Sequence, residues 1–160
     1  MDNSTDNVMV MGAFFHSVMD IYKEKESVYR ELQRIVNGLD LSVPNKMHPM
    51  AKYNELLDWI DHSLGAANAK ITGKSIGQTV FDFMVSQNMI KEDASASDIM
   101  NALVQLANVV ISDPKKRGWV ILVNESERLV MRKTQTFNTN VQFGVLEGLL
   151  YKCKKFEPRM

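Results

Sequence analysis

Gly73-Lys74-Ser75, read as the entry to a helix, is the first place in this chain where residue types and spacing invite chemistry. A phosphate-binding loop would put backbone amides and the lysine around a phosphate. It needs another glycine five positions earlier and a strand leading in. Position 68 is Asn68, and the residues before it carry a helical pattern, so a helix start with an adjacent lysine is the simpler reading. The three histidines, His16, His48 and His62, do not share a helix face at metal-ligand spacing, and Cys153 is the only cysteine. His16 lies among apolar residues, where a packed, hydrogen-bonded ring competes with axial ligation of a haem. Asp58 and Asp61 read as a solvated helix face rather than paired acids. No serine sits in a Gly-x-Ser-x-Gly elbow. Pro114-Lys115-Lys116-Arg117 is a basic turn that reads as solvated loop. No nucleophile, base and orienter can be assembled from these residues, so the chain is expected to be no enzyme and to carry no cofactor or metal.

The elements that would position such residues come in two blocks, helical in front and α+β behind. Val8, Met11, Phe14, Phe15, Val18, Met19 and Tyr22 have helical spacing over Val8 to Lys23. Val28, Leu32, Ile35 and Val36 continue it, either as a second helix or as one bent around Lys23–Glu26, with Gly38 as C-cap. Leu39 to Pro49 reads as a connection. Met50 to Leu64 is the clearest amphipathic helix and Gly65 ends it. Ile71 to Lys74 reads as a linker, followed by a capping box at Ser75 and Gln78 and a helix carrying Ile76, Val80, Phe81, Phe83 and Met84. Ser95 to Asp98 signals the next start, and Asp113-Pro114 the stop. Trp119 to Val123 and Arg128 to Thr134 form a hairpin. Its first strand is apolar on both faces and should be covered on both. Val141 to Cys153 is a helix apolar nearly all round, expected to be buried.

Gly144 and Gly148, four apart on that helix, would let another backbone come close. A methyl at Gly148 should therefore overpack rather than stabilise, with a smaller effect at Gly144 nearer the helix start. The pattern is familiar from membranes, but Glu147 and Lys152 interrupt it and the segment is short of the ~20 residues of a span.

A length of 160 residues sets one domain, with residues 1–7 a frayed tail. Lysine plus arginine equals aspartate plus glutamate at 19 each, which supplies no global attraction to nucleic acid or an anionic membrane and favours self-association. A lone cysteine and an acidic, polar N-terminus fit a reducing cytoplasm without a secretory signal. The 11 methionines can fill gaps in a core or adapt to an apolar ligand.

Two stretches resemble a known superfamily. Gly73-Lys74-Ser75-Ile76-Gly77-Gln78-Thr79-Val80-Phe81-Asp82-Phe83-Met84 is similar to the Gly-x-x-Ile-Gly helix start of the TRAPP vesicle-tethering subunits. Val141 to Leu150, with its Gly-x-x-x-Gly, resembles their C-terminal helix and that of the bacterial 4-vinyl-reductase-type domain. These are grouped by fold with the haem nitric-oxide sensors, and a family of myxobacterial proteins looks similar as well. The resemblance spans about residues 50–155 and implies an α+β fold, with a helical layer on a small antiparallel sheet and a buried C-terminal helix. It also implies a bacterial sensory or assembly module, often a homodimer. The sensors' Tyr-x-Ser-x-Arg motif is missing, as is a histidine between Ser97 and Ile111, so haem is not carried over and the protein should purify colourless. Neither zinc nor acylation of Cys153 carries over, because the matching cysteine motifs are absent.

The function expected is binding of a small apolar ligand, or of a signalling partner, between helices and sheet; a ligand-free homodimeric scaffold is the alternative. By apolar size and methionine softness, the site falls to Phe14, Phe15, Phe81, Met84 and Phe143, with Gly77, Gly144 and Gly148 as structural glycines.

Overall fold

The structure, a computed structural model, describes residues 4–133 and 137–153. The fold is α+β. Strand β1 (Met9–Met11) leads directly into α1 (Gly12–Tyr22), and α2 (Glu26–Ile35) follows. Strand β2 (Met47–Pro49) runs into α3 (Met50–Leu64), and α4 (Ala66–Ser86) and α5 (Ala96–Val110) come next. After β3 (Ile111–Ser112) come the hairpin β4 (Trp119–Asn124) and β5 (Leu129–Lys133) and then α6 (Thr139–Tyr151). One antiparallel sheet has the order β2-β1-β3; the hairpin is a second, two-stranded sheet.

Where the hydrophobic period is unambiguous the sequence boundaries hold. Helix α3 spans the expected residues, and Gly65, at φ +89°, both ends it and caps α4. Only a residue free to adopt the left-handed region turns the chain that sharply. The start of α5 is a capping box: the Ser95 hydroxyl accepts from the Asp98 amide at 3.2 Å, and the Asp98 carboxylate accepts from the Ser95 amide at 3.1 Å.

Three expectations are corrected and one open alternative is settled. Val8 does not begin a helix, because residues 9–11 pair with Met47–Pro49 inside the presumed connection; a three-residue strand is too short for a period to declare itself. The break at Lys23–Lys25 makes α1 and α2 separate helices. Residues 71–74 are not a linker and Ser75 is not a cap; α4 runs straight through them for 21 residues. The hairpin's first strand is covered on one face only: Trp119 packs inward, whereas Leu122, the extra residue of a β-bulge between Ile121 and Val123, is 52% exposed. Thr134, the expected end of the second strand, lies outside the described residues.

Two cores result. Phe15, Val18, Leu32, Leu56 and Ile60 close the first, among α1, α2, α3 and the start of α4. Phe81, Met84, Ile99, Met100, Trp119 and Leu149 close the second, among α4, α5, the hairpin and α6. Phe14, Val80, Ile111 and Val145 flank both.

Helices α4 and α6 lie in backbone contact. A methyl built on Gly144 would overlap the Lys70 carbonyl, and one on Gly148 the Lys74 carbonyl. In the other direction, methyls on Gly73 and Gly77 would overlap the carbonyls of Val141 and Val145. The pairings advance together along both helices, so the helices run parallel. Glycine in a helix interior costs ~1 kcal/mol relative to alanine. Here that cost is met by contact between two backbones, which allows Cα–H···O interactions as well. This contact explains why α4 stays helical through Gly73-Lys74-Ser75. Lys70–Glu147 at 2.6 Å and Lys152–Asp82 at 3.1 Å flank the crossing, each an exposed pair worth ~0–1 kcal/mol. Helix α6 buries only part of its circumference: Val141, Gly144, Gly148 and Leu149 face inward, while Phe143 and Tyr151 are exposed.

Candidate functional site

The residues with the clearest chemical promise are occupied with folding. The Lys74 ammonium lies 4.6 Å from the centroid of the Tyr151 ring. The His16 ring meets the Leu41 carbonyl through Nε2, and His62 meets the Asp58 carbonyl through Nδ1 at 2.7 Å. His48 is buried edge-on to Phe15, and among the described residues its Nε2 has no hydrogen-bond partner. The first amides of α1 already donate to loop carbonyls, Gly12 to Lys46 and Ala13 to Pro44, each at 2.8 Å. Those two amides are thereby taken up by the loop rather than left for an anion.

Asp58 and Asp61 are tied together by α6 rather than paired as acids. The Asn138 amide donates to both carboxylates at 2.9 Å, Asn140 donates to Asp61, and the Asn138 carbonyl oxygen caps α6 by accepting from the Val141 amide at 3.1 Å. The hydrogen bond from Asn138 is the main reason the Asp61 carboxyl is held below its ordinary range. In the basic turn, Arg117 folds back on Asp113 at 2.7 Å, with both side chains largely buried. Burial pushes the Asp113 carboxyl up, but the guanidinium and the amides of Lys115 and Arg117 outweigh it and leave it lowered. The Cys153 thiol is buried and donates to the Ala94 carbonyl at 3.5 Å. Among the described residues no three His, Cys, Asp or Glu side chains are grouped to hold a metal ion. No helix among them is long and apolar enough to cross a membrane.

Two of the spaces in the fold are apolar. A small cavity of about 50 Å³ lies where the two cores meet, walled by Val10, Tyr53, Leu103, Trp119, Val145 and neighbours. Burial holds the Tyr53 hydroxyl above its usual range, so this end of the site stays neutral. An apolar groove of about 240 Å³ opens to solvent between α1, α4 and α5. Phe14, Ile76, Val80, Leu106 and Val110 line both, so a single layer of side chains separates groove from cavity. At the groove, Phe83 is 46% and Val109 72% exposed. Together the two spaces come just short of the ~300–1,000 Å³ of small-molecule sites.

Of the five residues expected at the site, Phe14 alone is in these walls. Phe15 is fully enclosed in the first core, and Phe81 and Met84 in the second, each on the turn of its helix that faces the core. Phe143 is 57% exposed on α6, away from both spaces, because Gly144 rather than Phe143 meets α4. Gly73, Gly77, Gly144 and Gly148 all lie at the α4–α6 backbone contact. Sequence reasoning passed over Phe83 and Val109. The available signal was that both fall beside the core stripes of their helices and so must face something else.

None of the known family models matches this chain, and no curated protein or solved structure matches it significantly.

Proposed function

We propose that the protein is a non-enzymatic binding module that takes a small apolar ligand between α1, α4 and α5, and that it serves as a sensory or assembly unit in the cytoplasm. One observation carries this reading. The apolar groove and the small cavity share five lining side chains, so they are neighbouring parts of one apolar region. A core built only for stability closes such space, because each unfilled void forfeits dispersion contacts. The resemblance to 4-vinyl-reductase-type and TRAPP-subunit domains, with its paired glycine motifs, supports the same reading. The test is native mass spectrometry of the purified full chain with added octan-1-ol. One molecule retained per chain is expected, and a chain that stays unliganded at saturating alcohol contradicts the reading.

A second reading, a ligand-free homodimeric scaffold, is favoured by β4. Its outer face exposes Val120 and Leu122, its sequence carries no charge, and among the described residues it pairs on one edge only. Light scattering at micromolar concentration tests it: the mass of a dimer supports the scaffold, and the 18.2 kDa of one chain removes it.

A further inference from the structure

The polar groups in the groove carry the question of ligand identity further. Among the described residues its lining includes no charged side chain; the polar members are Ser17, Thr79 and Asn45. An ionised headgroup placed there would lose water and gain no counter-charge. The two hydroxyls are also already committed as donors. Ser17 Oγ donates to the Ala13 carbonyl at 3.0 Å and Thr79 Oγ1 to the Ser75 carbonyl at 3.2 Å, each one turn back along its own helix. A hydroxyl has one hydrogen and two lone pairs, so each of these oxygens is left able to accept and not to donate.

We infer that the groove selects an uncharged amphipathic molecule whose single polar group donates a hydrogen bond, an alcohol in preference to a carboxylate or an ether. The inference rests on the reading of the groove as the ligand site. In the pose it implies, the apolar body lies along Ile76, Val80 and Phe83, and the ligand O–H meets Ser17 or Thr79. The exposed Asn45 amide at the mouth can donate as well as accept, so it does not discriminate between the probes, and the selection falls to Ser17 and Thr79.

Three probes of matched size separate the possibilities: octan-1-ol (donor and acceptor, neutral), 1-methoxyheptane (acceptor only, neutral) and octanoate (charged). Titration calorimetry on the full chain should rank the alcohol about three- to tenfold above the ether, the worth of one net hydrogen bond. Octanoate should fall at least tenfold below the alcohol. In a Ser17→Ala/Thr79→Val double variant the alcohol should lose its advantage over the ether, while the ether binds as in the wild type. Equal affinities for alcohol and ether in the wild type, or tighter binding of octanoate, overturn the assignment of the polar groups and leave the groove as a site. Failure of all three probes to bind overturns both.

Discussion

Along one face of α4, Gly73 and Gly77 bring its backbone against α6; along the adjacent face, Ile76, Val80 and Phe83 hold it away from α1 and α5. The first contact leaves no room for a methyl group, whereas the second leaves a groove and, behind it, a cavity. Both faces are apolar and come from the same dozen residues, so hydrophobicity does not distinguish them. The difference is side-chain size. Glycine lets two helices close to backbone contact, while a branched or aromatic side chain sets a separation that the neighbours must fill or leave open. The α4–α6 pair is thus the closely packed part of the molecule, and the α1–α4–α5 side is the part with open space.

The largest expected effect breaks the closed face. Gly148→Ala and Gly144→Ala should each destabilise by ~1–3 kcal/mol, because the new methyl meets a carbonyl that belongs to a packed helix and has nowhere to move. Urea melts would show a lower midpoint at unchanged slope. The two variants should be alike, in contrast to the sequence expectation of a milder Gly144, since both glycines face α4 carbonyls equally closely. A raised midpoint in either would mean that the helices are not in contact there.

The crossing is also held at its start. Asn138 caps α6 and ties Asp58 and Asp61 of α3 to it, so Asn138→Ala should cost ~1 kcal/mol near neutral pH. Because the folded-state pKa of Asp61 is lowered, its contribution is fully present above the ordinary carboxylate value of ~3.9 and is lost as pH falls through the lowered value. The gap between wild type and Asn138→Ala should therefore narrow as the pH drops below about 4. Melts across that range check both the size and the sign; a gap that widens in acid contradicts the assignment.

The smallest effect sharpens the comparison on the open face. Ala107 lines the cavity, so Ala107→Val adds methyl groups where there is room. Burial of the new carbons and the poorer helix propensity of valine nearly cancel, and stability should change by less than ~1 kcal/mol. A loss as large as that at Gly148 would show that the cavity is not a usable space.

The elements with a long, clean period were legible in the chain: α3 to the residue, α5 through its capping box, and the hairpin through its turn. The glycines of α6 were legible as a close approach, but their partners were not. Gly73 and Gly77 read locally as a break, and only contact with α6, about 70 residues further on, makes helix the better state for that stretch. Ile76, Val80 and Phe83 were legible as one helical face even with α4 cut at residue 75, but that α1 and α5 leave this face partly uncovered was not. The largest apolar residues were expected to line a ligand site, yet Phe15, Phe81 and Met84 are just those a core encloses first.

The most direct test uses the chain's own reporter. Trp119 lines the cavity and Trp59 does not, so in a Trp59→Phe background the emission reports on the cavity wall. Titration with octan-1-ol should give a saturable change in Trp119 emission at one equivalent per chain, weakened in Ala107→Val. Emission unchanged up to the solubility limit of the alcohol would contradict the account, leaving α4 with one closed face and one that is merely loosely packed.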